Sequence, residues 1–344
     1  MNRDRQAVTM GEGNTPLVPG MSYDSLFFKL ENTNPSGSYK DRFISAEVAN
    51  LLKQNIRVCV ATSSGNTGSS LAAYCARCGI RCVVFVNDNI PAGKLIQMRA
   101  HGAIVVRVPE FTTSPEVTRR VFQKLTEFVA ASQAALVVSA FRYCAVGMEG
   151  VQSIAYEIAG QLPNVEHVFV PVGGGGLFSA VCRGFRDAGV HPKVYAVQPE
   201  GCPTILRAFR AGDSVAHAVD SSTSISGLSV PFDIDATLAL QLLREGGSLA
   251  IGVSDEEVMS AQQILLREEG IYSEPAGATA FAGYRKAVER GEVAAGARCV
   301  CLVTGSGAKD PGSIERAANQ VESPIVSVDN IGSALQRISQ VNPP

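Results

Sequence analysis

Asn34-Pro35-Ser36-Gly37-Ser38-Tyr39-Lys40-Asp41-Arg42 joins an apolar run, Leu26-Phe27-Phe28-Lys29-Leu30, to a helix-like segment over 43–52. Pro35 and Gly37 mark a turn between a strand and a helix. A lysine at such a turn is aimed at one point and held there. Desolvation favours the uncharged amine, the form that condenses with a carbonyl carbon. The plain alternative is a Lys-Asp-Arg group opening a solvated helix, and this stretch alone leaves both open.

Outward from that turn, short apolar runs recur at 57–61, 82–86, 104–108, 135–139, 168–172, 194–197 and 299–303. Continuous runs of this length suit strands buried on both faces, as in parallel sheets. Helix-like segments at 67–78, 92–101, 115–131, 149–160, 177–188, 255–268 and 276–290 separate them. Alternating strand and helix predicts an α/β chain. The 219–233 stretch reads as a mobile surface loop. The tail after about 321 reads as peripheral, and a domain junction is expected near 140–147.

The 344 residues suffice for about two domains and a large core. Apolar residues make up 46% and charged residues 18%, which is globular composition. A net charge of −2 without a long basic run argues against nucleic acid or an anionic membrane as partner. No apolar run reaches the length of a spanning helix, and the polar start Met1-Asn2-Arg3-Asp4-Arg5 lacks a signal core. A soluble cytoplasmic protein is expected. Cys75 and Cys78 have zinc-like spacing but no second ligand pair nearby, so they and Cys82 read as buried thiols and no metal is expected. His101, His167, His191 and His217 are isolated and read as structural.

Three loops follow apolar runs. Thr62-Ser63-Ser64-Gly65-Asn66-Thr67-Gly68 opens a helix, where free N–H groups and the helix dipole favour an anion and the side chains add donors suited to a carboxylate. One such residue would suffice for an ordinary N-cap; five within six positions exceed that need. Val172-Gly173-Gly174-Gly175-Gly176-Leu177 lets the backbone approach a ligand and turn several N–H groups onto it, which makes a phosphate cradle. It lacks the Gly-Lys-Ser/Thr of a Walker loop, and Phe178 or Ser179 stands where a dinucleotide fingerprint needs its last glycine. The third is Val303-Thr304-Gly305-Ser306-Gly307-Ala308-Lys309-Asp310-Pro311, whose Thr304 hydroxyl can meet a ring nitrogen without protonating it. In open α/β sheets ligands sit at the carboxyl ends of strands, where all three loops and Lys40 fall. An amine, a phosphate cradle and a carboxylate-binding turn together describe pyridoxal 5′-phosphate acting on a small amino acid.

Those motifs, in that order, resemble the fold type II pyridoxal-phosphate enzymes, and the resemblance runs from Gly11-Glu12-Gly13-Asn14-Thr15-Pro16-Leu17 to about Pro311. Within that superfamily the opening stretch, Val253-Ser254-Asp255-Glu256-Glu257, Glu274-Pro275-Ala276 and the Thr304 loop look like threonine synthase. The resemblance implies that Lys40 is the Schiff-base lysine and later acid/base. It places Asn66 at the cofactor's 3′-oxygen and Thr304 at the pyridine nitrogen. Gly173, Gly174, Gly175 and Gly176 wrap the phosphate, and Ser64, Gly65 and Thr67 take the substrate carboxylate.

Two stretches depart from threonine synthase. The glycine run is closer to serine and threonine dehydratases. Over 141–151 the family's phosphate-binding arginine is replaced by Gly147, leaving Arg142, displaced, as the candidate for a substrate anion. The resemblance implies a lyase or transferase acting on a β- or γ-leaving group, threonine synthase-like: O-phosphohomoserine to threonine and phosphate. Dehydratase-type β-elimination and β-replacement on an activated serine are the alternatives. The implied architecture is the two-domain, tryptophan synthase β-like fold of parallel-rich twisted sheets with helices on both faces. A smaller domain over 45–145 carries the carboxylate loop. A larger one over 1–44 plus 146–344 carries the phosphate loop, and a homodimer is expected.

Overall fold

The computed structural model describes residues 8–63, 65–90, 92–112 and 114–339. Strand β1 (Leu17–Pro19) folds back antiparallel on β2 (Leu26–Lys29), and α1 (Lys40–Lys53) follows. Strands then alternate with helices: β3 (Val58–Ala61), α2 (Asn66–Cys78), β4 (Arg81–Asn87), α3 (Ala92–Ala100), β5 (Ile104–Val108), α4 (Pro115–Ala130) and β6 (Ala134–Val137). These four strands form one parallel sheet in the order β5-β4-β3-β6.

The remainder returns to the sheet begun by β2. It runs α5 (Ala145–Val151), α6 (Ser153–Gln161), β7 (His167–Pro171), α7 (Gly176–Asp187), β8 (Lys193–Pro199), α8 (Thr204–Ala211), α9 (Ala236–Glu245) and β9 (Ala250–Val253). It continues through α10 (Asp255–Arg267), α11 (Pro275–Glu289), β10 (Cys299–Leu302), α12 (Pro311–Ala318) and α13 (Ile331–Ser339). The second sheet is six-stranded, β1-β2-β10-β7-β8-β9, and parallel except at β1. Strand β10, and β7 after its first residue His167, are apolar and buried, as two-sided burial requires.

Several quoted motifs have structural work. Ser254 and Glu257 form a capping box at α10: Ser254 Oγ accepts from Glu257 N–H and Glu257 accepts from Ser254 N–H at 2.7 Å. The opening Gly-Asn-Thr is pinned under α1, where Asn14 and Thr15 N–H donate to Glu157. Glu157 also binds Lys29 at 2.6 Å and Arg42, and Arg42 grips Glu31 at 2.7 Å. Lys29 and Glu31 are fully buried, so this cluster stands only because each charge has a partner.

Three local expectations change. The segment 149–160 is two helices, α5 and α6, broken at Gln152. The apolar run 135–139 leaves its strand at Val137, so Ser139 lies in the following loop. The 219–233 loop is only partly a surface loop: Ile225 and Leu228 are buried. Strand β9 and helix α9 were not legible in the apolar pattern.

Candidate active site

Lys40 is the first residue of α1. The turn before it is closely tied. Gly37, at φ +92°, donates its N–H to Asn34 O and accepts from Ser306 N–H. Ser38 bridges Gly305, and Tyr39 N–H donates to Thr304 O at 3.1 Å. Asp41 accepts from Ser36 N–H and from the Ser36 and Ser70 hydroxyls, and burial pushes its carboxyl up. Lys40 Nζ donates to the Tyr39 phenol at 2.5 Å and to Ser139 Oγ at 2.7 Å. Its hydrogen-bond partners are therefore hydroxyls, and among the described residues no carboxylate locks it into an ion pair.

The glycine loop lies at the carboxyl end of β7. Gly175, at φ +95°, takes a backbone region that glycine enters without steric cost. A Cβ there would lie 2.6 Å from Asp235 O, and one on Gly173 3.0 Å from Gly227 O. Segment 227–235 thus backs the loop. Asp235 N–H donates to Gly174 O, while its carboxylate accepts from Phe141 N–H at 2.7 Å and Arg142 N–H at 3.3 Å. Burial pushes the Asp235 carboxyl up. Among the described residues, the N–H groups of Gly173, Gly174 and Gly175 meet no protein acceptor. Ser179, in the first turn of α7, has a buried hydroxyl without a partner among them. Unclaimed N–H donors at a helix N-terminus suit an anion.

The other two loops meet each other. Asn66 Nδ2 donates to Glu274 Oε1 at 2.6 Å, and Glu274 N–H donates to Gly305 O. A Cβ on Gly305 would fall 2.0 Å from Glu274 Oε1 and 3.1 Å from Asn66 Nδ2. A Cβ on Gly68 would fall 2.2 Å from Ser63 O, so both glycines are required by close approach. Thr67 and Thr304 are buried, Gly65 is the N-cap of α2 and donates its N–H to Ser63 Oγ, and Ser64 lies outside the described residues. Lys309 Nζ donates to Gln97 Oε1 at 2.5 Å, and Gln97 Nε2 donates to Ser36 O. Burial pulls the Lys309 ammonium down, although Asp41 and Glu274 stand near it.

The structure thus brings together Lys40, the glycine loop (through Ser139, whose carbonyl lies 3.5 Å from a Gly176 Cβ), Thr304 and Asn66. Arg142 is different: its guanidinium is exposed, 6.0 Å from the Tyr143 ring. Gly147 is also explained. A Cβ there would strike the Phe43 ring at 2.6 Å, so the α1–α5 contact excludes an arginine at that place. Tyr39, Ser139, Glu274 and Asp235 were not singled out as site residues by sequence reasoning. Glu274 and Tyr39 lie inside quoted motifs, but Ser139 and Asp235 carry no local signal.

A lysine held between hydroxyls, a cradle of unclaimed N–H groups and a threonine hydroxyl suit a phosphorylated aldehyde with a pyridine ring. The comparisons with known proteins agree. Residues 8–305 match the family described as "Pyridoxal-phosphate dependent enzyme". The threonine synthase of Methanocaldococcus jannaschii is 32% identical over 335 residues, 92% of this chain and 80% of that protein. The threonine synthase of Mycobacterium tuberculosis is 32% identical over 352 residues, covering 96% and 92%. Among solved structures, maize serine racemase superposes with a TM-score of 0.75 at 22% identity, covering 89% of this chain and 92% of that one. The processed form of threonine deaminase isoform 2 from Solanum lycopersicum gives 0.75 at 19% identity, covering 89% and 84%.

Proposed function

This chain belongs to the family of pyridoxal-phosphate-dependent enzymes, with pyridoxal 5′-phosphate as its cofactor, and on that premise we propose that it is a threonine synthase-like lyase. The substrate would be O-phosphohomoserine and the products threonine and phosphate. One observation carries the reading: the similarity to threonine synthases spans 92% or more of the chain in the two relatives above, and Lys40 and its loops lie within that span.

When bound, the cofactor supplies an electron sink for the carbanion formed at the substrate's α-carbon. In this proposal Lys40 holds the cofactor and its amine takes the α-proton. The N–H groups of Gly173, Gly174, Gly175 and Gly176 bind the phosphate. Asn66, oriented by Glu274, meets the ring oxygen. Thr304 faces the ring nitrogen with a neutral hydroxyl, which favours elimination and replacement over transamination. Ser64, Gly65 and Thr67 take the substrate carboxylate, and Arg142 takes its anionic side chain. Residues 45–145 form the smaller domain and 1–44 plus 146–344 the larger, so substrate binding draws the carboxylate loop toward the phosphate loop. The enzyme is read as a cytoplasmic homodimer, which light scattering on the purified protein tests.

A second reading, dehydratase-type β-elimination, is favoured by the packing of Gly147 against Phe43, which removes the arginine from its place in the threonine synthase pattern. A panel of amino acids scored for phosphate, ammonia and keto acid separates the two. Phosphate from O-phosphohomoserine supports the first. Ammonia and a keto acid from serine or threonine, without phosphate release from phosphohomoserine, replaces it with the second.

A further inference from the structure

Adjacent side chains on a helix point in different directions and do not face each other. Tyr39 and Lys40 do meet: Lys40 Nζ donates to the phenol oxygen at 2.5 Å and lies 4.4 Å from the ring centroid. Tyr39 is the residue that precedes α1, and its N–H is tied to Thr304 O while Ser38 bridges Gly305. The third loop therefore fixes the backbone just ahead of Lys40, and the phenol turns onto the amine. Among the described residues the phenol has no other hydrogen-bond partner. Ser139 Oγ holds the same nitrogen from a second direction and lies 3.7 Å from Met148 Sδ.

A hydroxyl can accept one proton and give up another in the same event, because it is both donor and acceptor. An ionised carboxylate has no proton to give. The environment of Lys40 Nζ is thus suited to passing a proton onward, beyond taking one up. We propose that Tyr39 is a catalytic residue, relaying the proton that Lys40 removes from the substrate to the part of the substrate that departs or rearranges. This rests on Lys40 being the base, as proposed above.

The protons balance. The substrate α-C–H bond breaks and an Nζ–H bond forms. An Nζ–H bond then breaks as its proton moves to the Tyr39 oxygen, while the proton already on Tyr39 moves to the substrate. Its destination is the leaving oxygen when hydroxide would otherwise depart. When phosphate leaves, a β-C–H bond also breaks and the freed Lys40 amine takes that proton; the Tyr39 proton goes to the γ-carbon, and the β-proton returns from Lys40 to the α-carbon as water adds its hydroxyl at the β-carbon and its proton to the phosphate. Tyr39 ends as a neutral phenol and Lys40 as a free amine, so no further donor is needed.

Tyr39→Phe tests this by removing one oxygen and keeping the ring. In the full-length holoenzyme, cofactor affinity by equilibrium dialysis and borohydride labelling of Lys40 are expected to stay at the wild-type level. Exchange of the amino acid's α-proton in D2O, followed by proton NMR, should also persist. Formation of the final product, threonine from phosphohomoserine or keto acid from serine or threonine, should fall about 100-fold or more, the usual range for a lost general acid. Product formation near the wild-type rate would overturn the proposal. So would a loss of cofactor affinity or exchange as large as the loss of product formation, which would make Tyr39 structural. Wild-type protein that exchanges no amino acid's α-proton would instead bring down the functional reading, and the relay with it.

Discussion

Asn66 and Glu274 are 208 positions apart, yet the Asn66 amide donates to Glu274 Oε1 at 2.6 Å. The bond joins α2, which packs on the four-stranded sheet, to the N-cap of α11 beside the six-stranded one. It fixes the amide's orientation and leaves its carbonyl oxygen a set direction. A double-mutant cycle with Asn66→Ala and Glu274→Ala, read as cofactor dissociation constants, should give a coupling of about 0.5–3 kcal/mol. Strictly additive effects would show that Glu274 does not act through Asn66.

The glycine loop predicts a sharp steric response. Gly175→Ala places a side chain at φ +95° and 2.6 Å from Asp235 O. Backbone strain of about 1–3 kcal/mol is expected before the clash is relieved. Equilibrium dialysis should show weaker cofactor binding, and the urea midpoint should fall. Wild-type values for both would mean that the loop tolerates a quite different conformation.

The charge cluster beneath α1 predicts a stability loss without direct contact with the chemistry. Arg42→Ala leaves Glu31 buried and without its guanidinium, a change that costs about 3–5 kcal/mol in such settings and is measured by urea unfolding. Glu157 adds a pH dependence. Burial opposes its ionisation, but hydrogen bonds from Arg42 and Lys29 hold its carboxyl at about 2. A folded-state value below the unfolded one gives stability that is fully present above the ordinary carboxylate range, about 4.5, and lost as pH falls toward 2. Glu157→Gln should flatten that acid limb.

Gln97 on α3 accepts from Lys309 and donates to Ser36 O, so it clasps the turn before Lys40 to a helix of the other sheet. Gln97→Ala should speed amide hydrogen exchange over residues 35–41 while leaving exchange in β7 and β8 unchanged. Uniform acceleration across the chain would point to a global loss of stability instead.

Arg142 offers a test of the substrate. If its exposed guanidinium meets a phosphate, Arg142→Ala should raise KM for phosphohomoserine and leave that for unphosphorylated serine or threonine unaltered. Equal effects on both would remove it from the anion site.

How much of this was legible beforehand follows from where the signals lie in the chain. Lys40, Asn66, the four glycines and Thr304 each sit in, or at the helix start that ends, a loop that follows an apolar run, so a local pattern announces them. The partners that orient them do not. Ser139 reaches Lys40 across 99 positions, and Asp235 reaches Phe141 across 94. Neither contact has a period or a spacing to read. Strand β9 is only four residues, Ala250–Val253, with a glycine inside it, and so lacks the β-branched run that marks its neighbours. Gly147 read as a missing arginine; only the closeness of α1 to α5 shows why a glycine is needed there.

The central claim is that Lys40 carries the chemistry. The most direct measurement is borohydride reduction of the holoenzyme followed by peptide mass mapping. The reduced cofactor is expected on Lys40, with no labelling in Lys40→Ala. A cofactor found on another lysine, or holoenzyme that acquires no label at all, would contradict it.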